Sequence, residues 1–277
     1  MRRREYALLD GTSRVLPQCV GDGSIITRFE KTPLPEQPTD VVCPHFLELK
    51  WATGCPYDCA WCYLKGTLRF VPTKAKPRVK DFAKVERHVR AFVETVDWCE
   101  EILNTGELSD SLMYERNGES FSKFIMSIFN QQERHRVLFV TKSNHVDNLL
   151  QMDHRGMAVI SFSLNAEDVA ERFEKGAPPV RNRIEAAAKL RQAGYEVRIR
   201  IDPMVPIPGW EKGYRELVDV IFSRFTPSRI TLGSLRGLQS TINQASDKSW
   251  VPYLSERSNW GKKIECNTRF WMYKRII

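Results

Sequence analysis

Apolar patterns typical of β-strands alternate with apolar patterns typical of helices along most of this 277-residue chain. The strand-like segments are 46–51, 102–103, 137–140, 159–162, 197–201 and 229–232. Stripes at helical spacing lie between them, over 82–93, 121–129, 181–192 and 214–222. This alternation predicts a parallel sheet with helical crossovers, because neighbouring parallel strands need a long connection.

The number of strands narrows the fold class. Six strand candidates are fewer than the eight of a complete TIM barrel. We therefore predict an α/β fold, a partial (β/α)6 TIM-like barrel over residues 45–234, with functional residues at the carboxyl ends of its strands. A flat doubly wound sheet is the alternative. Residues 1–44, rich in proline, are predicted to be an irregular N-terminal extension, and 235–277 a C-terminal appendage.

Composition bounds the cellular setting and the partners. Lysine and arginine number 42 against 34 for aspartate and glutamate, which gives a formal net charge of +8. A basic surface favours polyanionic partners such as nucleic acid, although the same charge also serves solubility. No stretch approaches the roughly 20 apolar residues that a membrane-spanning helix needs, so we expect a cytoplasmic protein. Seven cysteines, three of them within eight residues, favour metal or redox chemistry over a disulfide framework.

Cys55, Cys59 and Cys62 form a Cys-x3-Cys-x2-Cys loop directly after the first predicted strand. Three thiolates hold three irons of a 4Fe-4S cluster, and the lack of a fourth nearby cysteine leaves one iron for another ligand. The alternative is a structural zinc site with Cys43 or His45 as the fourth ligand. The cluster is favoured, because zinc sites commonly use two separated ligand pairs.

The loop is similar to the signature of the radical S-adenosylmethionine (SAM) superfamily, which has this spacing and an aromatic residue, here Trp61, before the last cysteine. Over about residues 52–214 the chain resembles the spore photoproduct lyase and DNA repair photolyase-like branch of that superfamily. The segments that carry the resemblance are Ala52-Thr53-Gly54-Cys55, Cys62-Tyr63-Leu64, Val140-Thr141-Lys142-Ser143, Phe162-Ser163-Leu164-Asn165, Phe173-Glu174-Lys175-Gly176, Arg183-Ile184-Glu185-Ala186-Ala187, Ala193-Gly194-Tyr195 and Gly209-Trp210-Glu211-Lys212-Gly213-Tyr214. The resemblance implies a 4Fe-4S cluster and SAM as cofactors, and a lyase-like enzyme that cleaves SAM reductively to a 5′-deoxyadenosyl radical.

The resemblance also implies how SAM is bound. Lys142 and Ser163, at the ends of the third and fourth strands, match positions that bind the methionyl carboxylate, and an ammonium and a hydroxyl suit that anion. Glu107, in a Gly-Gly-Glu-like position after the second strand, is expected to accept from the SAM amino group. Tyr63 and Ser109 are further expected cofactor contacts.

Several of these positions also admit a structural role. Lys142 is alternatively a solvated loop lysine, and Ser163 a hydroxyl at the barrel rim. Asn165 is either a cap of the following helix or a ligand contact. Asp202 lies at the end of the fifth strand, where we expect it to contact ribose or substrate. Glu107 and Asp202 are the expected catalytic residues, although Glu107 is alternatively an exposed loop acid.

The chain departs from spore photoproduct lyase where that enzyme returns hydrogen to its product. The lyase has a donor cysteine in an Ala-Cys-Thr-Ser-Asp segment, whereas this chain reads Gly106-Glu107-Leu108-Ser109-Asp110. The tyrosines that assist the donor are expected after the first loop, where Phe70-Val71-Pro72-Thr73 has no phenol. The lyase reaction itself is therefore not implied.

The leading functional hypothesis is hydrogen abstraction from a nucleic acid or nucleotide, with basic residues on phosphates and tail aromatics stacked on bases. The alternatives are a peptide or small-metabolite substrate, and a zinc-stabilised nucleic-acid-binding module. Reductive chemistry also requires an electron donor such as flavodoxin or ferredoxin. The tail aromatics Trp260, Phe270 and Trp271 have a structural alternative, the packing of a C-terminal cap onto the barrel.

Four cysteines lie outside the loop, namely Cys19, Cys43, Cys99 and Cys266. Each is expected to be a small buried side chain more often than a radical donor. Cys99 is the expected core residue, and Cys266 the first to consider as a reactive thiol.

Overall fold

The computed structural model describes residues 1–8, 10–30, 45–70, 76–115 and 120–277. Its strands are β1 (Arg2–Ala7), β2 (Ser13–Val20), β3 (Ile26–Arg28), β4 (Leu47–Leu49), β5 (Ala52–Thr53), β6 (Asp58–Cys59), β7 (Arg78–Val79), β8 (Ile102–Asn104), β9 (Arg136–Thr141), β10 (Ala158–Ser163), β11 (Glu174–Lys175), β12 (Glu196–Met204), β13 (Arg229–Ser234), β14 (Arg236–Leu238), β15 (Glu256–Ser258) and β16 (Gly261–Lys263).

Its helices are α1 (Leu64–Thr67), α2 (Phe82–Thr95), α3 (Phe121–Phe129), α4 (Asp147–Leu150), α5 (Glu167–Phe173), α6 (Val180–Gln192), α7 (Trp210–Arg224), α8 (Gln239–Gln244) and α9 (Cys266–Ile276), with a 3-10 turn at Val251–Tyr253. Within the described ranges, none of them is long and apolar enough to cross a membrane.

Nine strands of the described chain form one sheet in the order β1-β2-β3-β4-β8-β9-β10-β12-β13. From β4 to β13 all neighbours are parallel and follow one another in chain order. The six strands expected from the apolar patterns are therefore confirmed, as is the mixed α/β class. A doubly wound sheet reverses its strand order at a switch point, so that alternative is wrong.

The alternation of apolar and polar residues along the strands explains how the core forms. In β12 the side chains of Val197, Ile199 and Ile201 are fully buried, whereas the residues between them are partly exposed. Successive side chains of a strand point to opposite faces, so one face of β12 is apolar and the other carries charge. Helices supply the matching apolar stripes, such as Val85, Val89 and Phe92 of α2.

The description of the N-terminal segment as irregular is wrong for residues 2–28. There β1, β2 and β3 form antiparallel pairs, and β3 joins the parallel strands by pairing with β4. Four of the first five residues of β1 are arginine or glutamate, and its side chains are mostly exposed, so it shows little apolar alternation. Four of the five prolines lie in 31–44, outside the described residues.

The C-terminal segment contains a small antiparallel sheet in the order β14-β16-β15, together with α8 and α9. The packing alternative concerned Trp260, Phe270 and Trp271, of which Trp260 is partly buried. Trp250, which it did not include, is fully buried. Phe270 and Trp271, in contrast, are 59% and 49% exposed. The division of the chain into 1–44, 45–234 and 235–277 stays a prediction.

Candidate functional site

The cysteine loop leaves β5 through Gly54, whose φ of +86° favours glycine. The Gly54 N–H donates to the Leu108 carbonyl at 2.9 Å, which ties the loop to the segment after β8. The two-residue strand β6 then pairs with β11, with Cys59 opposite Glu174. These contacts hold the loop against the carboxyl ends of the parallel strands.

Burial dominates the chemistry of the three thiols. Cys59 is buried, and Cys55 and Cys62 are partly buried. Burial, with a smaller contribution from Asp110, raises the pKa of Cys55 to about 12. Burial also raises the pKa of Cys59 and Cys62, while the Lys142 ammonium acts on both in the opposite direction. Lys142 therefore favours the thiolate form that iron requires.

Lys142 follows β9 directly and forms an ion pair with Glu174, at 3.1 Å between Nζ and Oε1. The other carboxylate oxygen of Glu174 accepts from Arg183 at 2.6 Å. Glu174 has no side-chain exposure, and Lys142 is 16% exposed. Burial raises the pKa of Glu174, but the cations Lys142 and Arg183 more than offset this and lower it overall. The alternative of a solvated loop lysine is therefore wrong, and the expected contact of Lys142 with SAM stays a prediction.

The loop after β8 is packed tightly. A Cβ on Gly106 would lie 2.6 Å from the Val140 Cβ, so only glycine fits there. Asp110 accepts from the Thr141 hydroxyl and the Lys142 N–H, each at 2.7 Å. Ser109 is buried, and its hydroxyl has no hydrogen-bond partner among the described residues.

Tyr63 and Glu107 meet in the structure. The Tyr63 hydroxyl donates to the backbone carbonyl of Glu107. Burial, followed by the nearby Glu107 carboxylate, raises the pKa of Tyr63. A second loop residue, Tyr57, hydrogen-bonds Ser143, and burial raises its pKa too. Phenols from the cysteine loop therefore reach the ends of the second and third parallel strands.

Ser163 ends β10 as predicted, and its backbone carbonyl accepts from Arg183 at 3.1 Å. Asn165 is fully buried, and its side-chain oxygen Oδ1 accepts from the Tyr214 hydroxyl at 2.7 Å. Its amide donates to the Pro203 carbonyl at 2.9 Å. The helix-cap prediction for Asn165 is wrong, because α5 begins after Ala166 and has no side-chain cap.

Asp202 lies near the carboxyl end of β12 and forms a bidentate ion pair with Arg236 of β14, at 2.9 and 3.2 Å. Arg200 contacts the same carboxylate at 3.3 Å. Burial raises the pKa of Asp202, but Arg236 and Arg200 outweigh it and lower the pKa overall. Asp202 therefore connects the sheet to the C-terminal segment.

The structure removes His45 from the zinc alternative. His45 precedes β4, at the end opposite the cysteine loop, where its Nδ1 lies 3.0 Å from the Phe29 carbonyl. Cys43 lies outside the described residues. In the described part of the chain, no group of three His, Cys, Asp or Glu side chains is arranged to hold one metal ion. A cubane cluster has a different requirement, because each thiolate binds its own iron.

The other cysteines differ from expectation in part. Cys19 is buried, whereas Cys99, the expected core residue, is only partly buried at the edge of the core. Cys266 is exposed at the start of α9. Phe70 is exposed, and 71–73, where no phenol was found, lie outside the described residues.

Sequence reasoning did not assign roles to Glu174, Arg183, Tyr57 or Arg236. Glu174 and Arg183 do lie in segments that carry the family resemblance. Membership of these segments was the only indication in the sequence that Glu174 and Arg183 matter for the site. Residue type alone gives no indication, because buried and exposed ion pairs use the same residues.

A comparison with known families places the chain. The family model described as "Spore photoproduct lyase" matches residues 46–232, more than half of the chain. This chain belongs to the spore photoproduct lyase family. The spore photoproduct lyase of Bacillus subtilis (strain 168) is 33% identical over 191 residues, which cover 62% of this chain and 49% of that lyase. The lyase of Geobacillus sp. (strain Y412MC61) is 33% identical over 168 residues, 60% of this chain and 48% of that lyase. The chain thus spans about half the length of these curated lyases.

Solved structures support the fold. A spore photoproduct lyase complexed with dinucleoside spore photoproduct has a TM-score of 0.68 at 20% identity, over 87% of this chain and 74% of that chain. Native anSMEcpe with bound AdoMet has a TM-score of 0.51 at 11% identity, over 83% of this chain and 57% of that chain.

The residues of the site fit the cluster and SAM that the spore photoproduct lyase family implies. Three cysteines are the ligand set for a cubane with one open iron. Lys142 pairs with Glu174 through one carboxylate oxygen, and an ammonium has three donors, so donors remain for a carboxylate ligand. The buried Ser109 hydroxyl lacks a partner among the described residues, as expected where a ligand completes the site.

Proposed function

We propose that this chain is a radical SAM enzyme in which Cys55, Cys59 and Cys62 bind a 4Fe-4S cluster. The observation that carries the proposal is the attachment of the cysteine loop to Glu174, whose carboxylate pairs with Lys142. This attachment supports a cofactor site at the carboxyl ends of the parallel strands, which we propose form a partial (β/α)6 barrel. The chemistry that a reduced cluster with SAM supplies is cleavage to methionine and a 5′-deoxyadenosyl radical, which abstracts hydrogen from a substrate.

The protein's own groups would hold SAM by charge and hydrogen bonding. Lys142 and the Ser163 hydroxyl suit the methionyl carboxylate, and Glu107 suits the amino group. Lys142 serves this role while paired with Glu174, because an ammonium has three donors. Ser109, whose hydroxyl has no partner among the described residues, and Tyr63, whose hydroxyl donates to the Glu107 carbonyl, are the further contacts that we propose for SAM. Asn165 acts less directly, by joining the ends of β10 and β12 through its bond to the Pro203 carbonyl.

We propose a nucleic acid or nucleotide as the substrate. The support is membership of the spore photoproduct lyase family and the formal net charge of +8. A related lyase was solved with a dinucleoside spore photoproduct. Family membership favours this class over a peptide or small metabolite.

The cluster assignment is tested by its ligands. We expect anaerobically reconstituted protein to bind about four irons and four sulfides per chain. With dithionite it should release 5′-deoxyadenosine from SAM. Replacing Cys55, Cys59 and Cys62 together by alanine should abolish both, whereas the matched variant Cys99→Ala should retain both. Stoichiometric iron and sulfide in the triple variant would show that the ligands lie elsewhere.

The net reaction is expected to differ from lesion repair. Repair of the spore photoproduct needs a hydrogen atom returned to a thymine radical, and the segment 106–110 contains no cysteine. The O–H bond of a carboxylic acid is too strong for Glu107 to act as the donor, and an ionised carboxylate has no hydrogen to transfer. We therefore expect little restoration of thymine when reduced protein and SAM are incubated with a lesion-bearing oligonucleotide and the products are separated by chromatography. Efficient multiple-turnover restoration would contradict this, and Cys266 would be the first residue to replace.

A further inference from the structure

Arg200, Asp202 and Arg236 form a charged cluster at the carboxyl end of β12. Arg236 engages both oxygens of Asp202, Nη1 with Oδ1 at 2.9 Å and Nη2 with Oδ2 at 3.2 Å. Arg200 shares Oδ2 through Nη2 at 3.3 Å. Arg236 thus binds the carboxylate in bidentate geometry, and Arg200 has only a longer contact with an oxygen that Arg236 also engages.

The position of Asp202 depends on a glycine in the next strand. A Cβ at Gly233 of β13 would lie 2.4 Å from Asp202 Oδ1, so the carboxylate occupies the space that a side chain would fill. The Asp202 side chain is 13% exposed, while Arg200 is 37% exposed. The buried carboxylate therefore holds a guanidinium that itself reaches solvent.

Arg200 lies next to the proposed cofactor site. It is the register partner of Ser163 across the β10–β12 pair. Lys142 is close enough to Asp202 to lower the pKa of that carboxylate. Among the described residues, the contact with Asp202 is the only hydrogen bond or ion pair of the Arg200 side chain, while its backbone carbonyl accepts from the Leu164 N–H. Its guanidinium charge is incompletely balanced, which favours an anion as a further partner.

We propose that Arg200, oriented by Asp202 and Arg236, binds a phosphate group of the substrate. This rests on the proposed function, in which the substrate is a nucleotide or oligonucleotide. A guanidinium presents parallel N–H donors that match two phosphate oxygens. Arg200 is paired with Ser163 on the adjacent strand, next to the proposed SAM site. Asp202 is accordingly a positioning residue and not a catalytic one.

The test compares Arg200→Gln with Arg215→Gln, which removes an exposed arginine from α7. The probe is a short fluorescein-labelled oligothymidylate, bound to the reconstituted protein at several salt concentrations. Arg200→Gln should weaken binding by about tenfold or more, because a charge-assisted contact is lost. It should also make the slope of log affinity against log salt less negative by about 0.7, the value for one phosphate contact on a single strand. Arg215→Gln should change neither.

Arg200→Lys is the second variant, and it retains the charge without the fork of donors. It should give an affinity between those of the wild type and Arg200→Gln, with the salt slope of the wild type. SAM binding by Arg200→Gln separates loss of the phosphate contact from loss of folding, because a misfolded protein would fail to bind SAM as well.

Two outcomes overturn the inference alone. One is an oligothymidylate affinity that is the same in Arg200→Gln and Arg215→Gln. The other is a fall in SAM affinity without a fall in oligothymidylate affinity, which would assign Arg200 to the methionyl carboxylate. A wild-type protein that cleaves SAM but does not bind the oligothymidylate would instead overturn the proposed substrate class, and the inference with it.

Discussion

Glu174 is a buried carboxylate between two cations, and it shows how a single residue organises the site. Lys142 comes from the end of β9, and Arg183 comes from α6. Through its backbone, Glu174 also pairs with Cys59. Removing one partner of a buried ion pair is strongly destabilising, because the remaining charge stays desolvated without compensation.

We therefore expect Glu174→Gln to lower the free energy of unfolding by about 3 to 5 kcal/mol. The measurement is urea denaturation followed by circular dichroism. Glu171→Gln is the matched control, because Glu171 is an exposed glutamate of α5. Equal unfolding free energies for the two variants would show that the Lys142–Glu174–Arg183 contacts do not stabilise the fold.

At the scale of elements, helix α1, which follows the cysteine loop, packs against helix α8 of the C-terminal segment. Gly66 of α1 faces α8, and a Cβ there would lie 2.5 Å from the Ser240 Oγ and 2.7 Å from the Thr241 backbone nitrogen. Arg236 supplies a second attachment through Asp202. The C-terminal segment thus contacts the rest of the protein at two places, α8 against α1 and Arg236 against Asp202.

Gly66→Ala tests this contact. Alanine favours a helix over glycine by about 1 kcal/mol, but overpacking against backbone costs about 1 to 3 kcal/mol, so we expect net destabilisation. Limited proteolysis should cut the variant faster within 235–277. Thr67→Ala, at an exposed position of the same helix, should not be cut faster. Resistance to proteolysis equal to that of the wild type would mean that α8 does not depend on α1.

At the scale of the molecule, the N-terminal strands extend the parallel sheet into one continuous unit. Arg28 of β3 is 2% exposed and pairs with Glu101, which lies just before β8. Its guanidinium also donates to the carbonyls of Pro17 and His45, at 2.8 and 2.6 Å. One buried side chain therefore connects both parts of the sheet.

Arg28→Leu should lower the free energy of unfolding by about 3 to 5 kcal/mol, because Glu101 is left buried without its partner. The double variant Arg28→Leu/Glu101→Leu should recover part of this loss, since removing both charges of a buried pair is far less costly. Both are measured by urea denaturation. A double variant no more stable than Arg28→Leu would show that the unpaired Glu101 carboxylate is not the cause.

The features that could be predicted from the sequence are local ones. Apolar periodicity depends only on residues near in the chain, and it predicted six strands that the structure confirms. The carboxyl ends of parallel strands meet at one edge, so Lys142, Ser163 and Asp202 were expected on the same side of the sheet. The spacing of the three cysteines is local too, and it pointed to a cluster before any fold was known.

The partners of charged residues depend instead on contacts between distant segments. Lys142 was expected to bind the methionyl carboxylate, and its ion pair with Glu174, which the fold brings to it, was not foreseen. The sequence did not indicate that Arg236 would engage both oxygens of Asp202, and the catalytic role expected of Asp202 stays a prediction. The strands at 2–28 were missed because β1 and part of β2 are exposed, and exposed strands lack apolar alternation. Charge pairing and edge strands are decided by three-dimensional proximity and backbone hydrogen bonding, which leave little mark on the local order of residues.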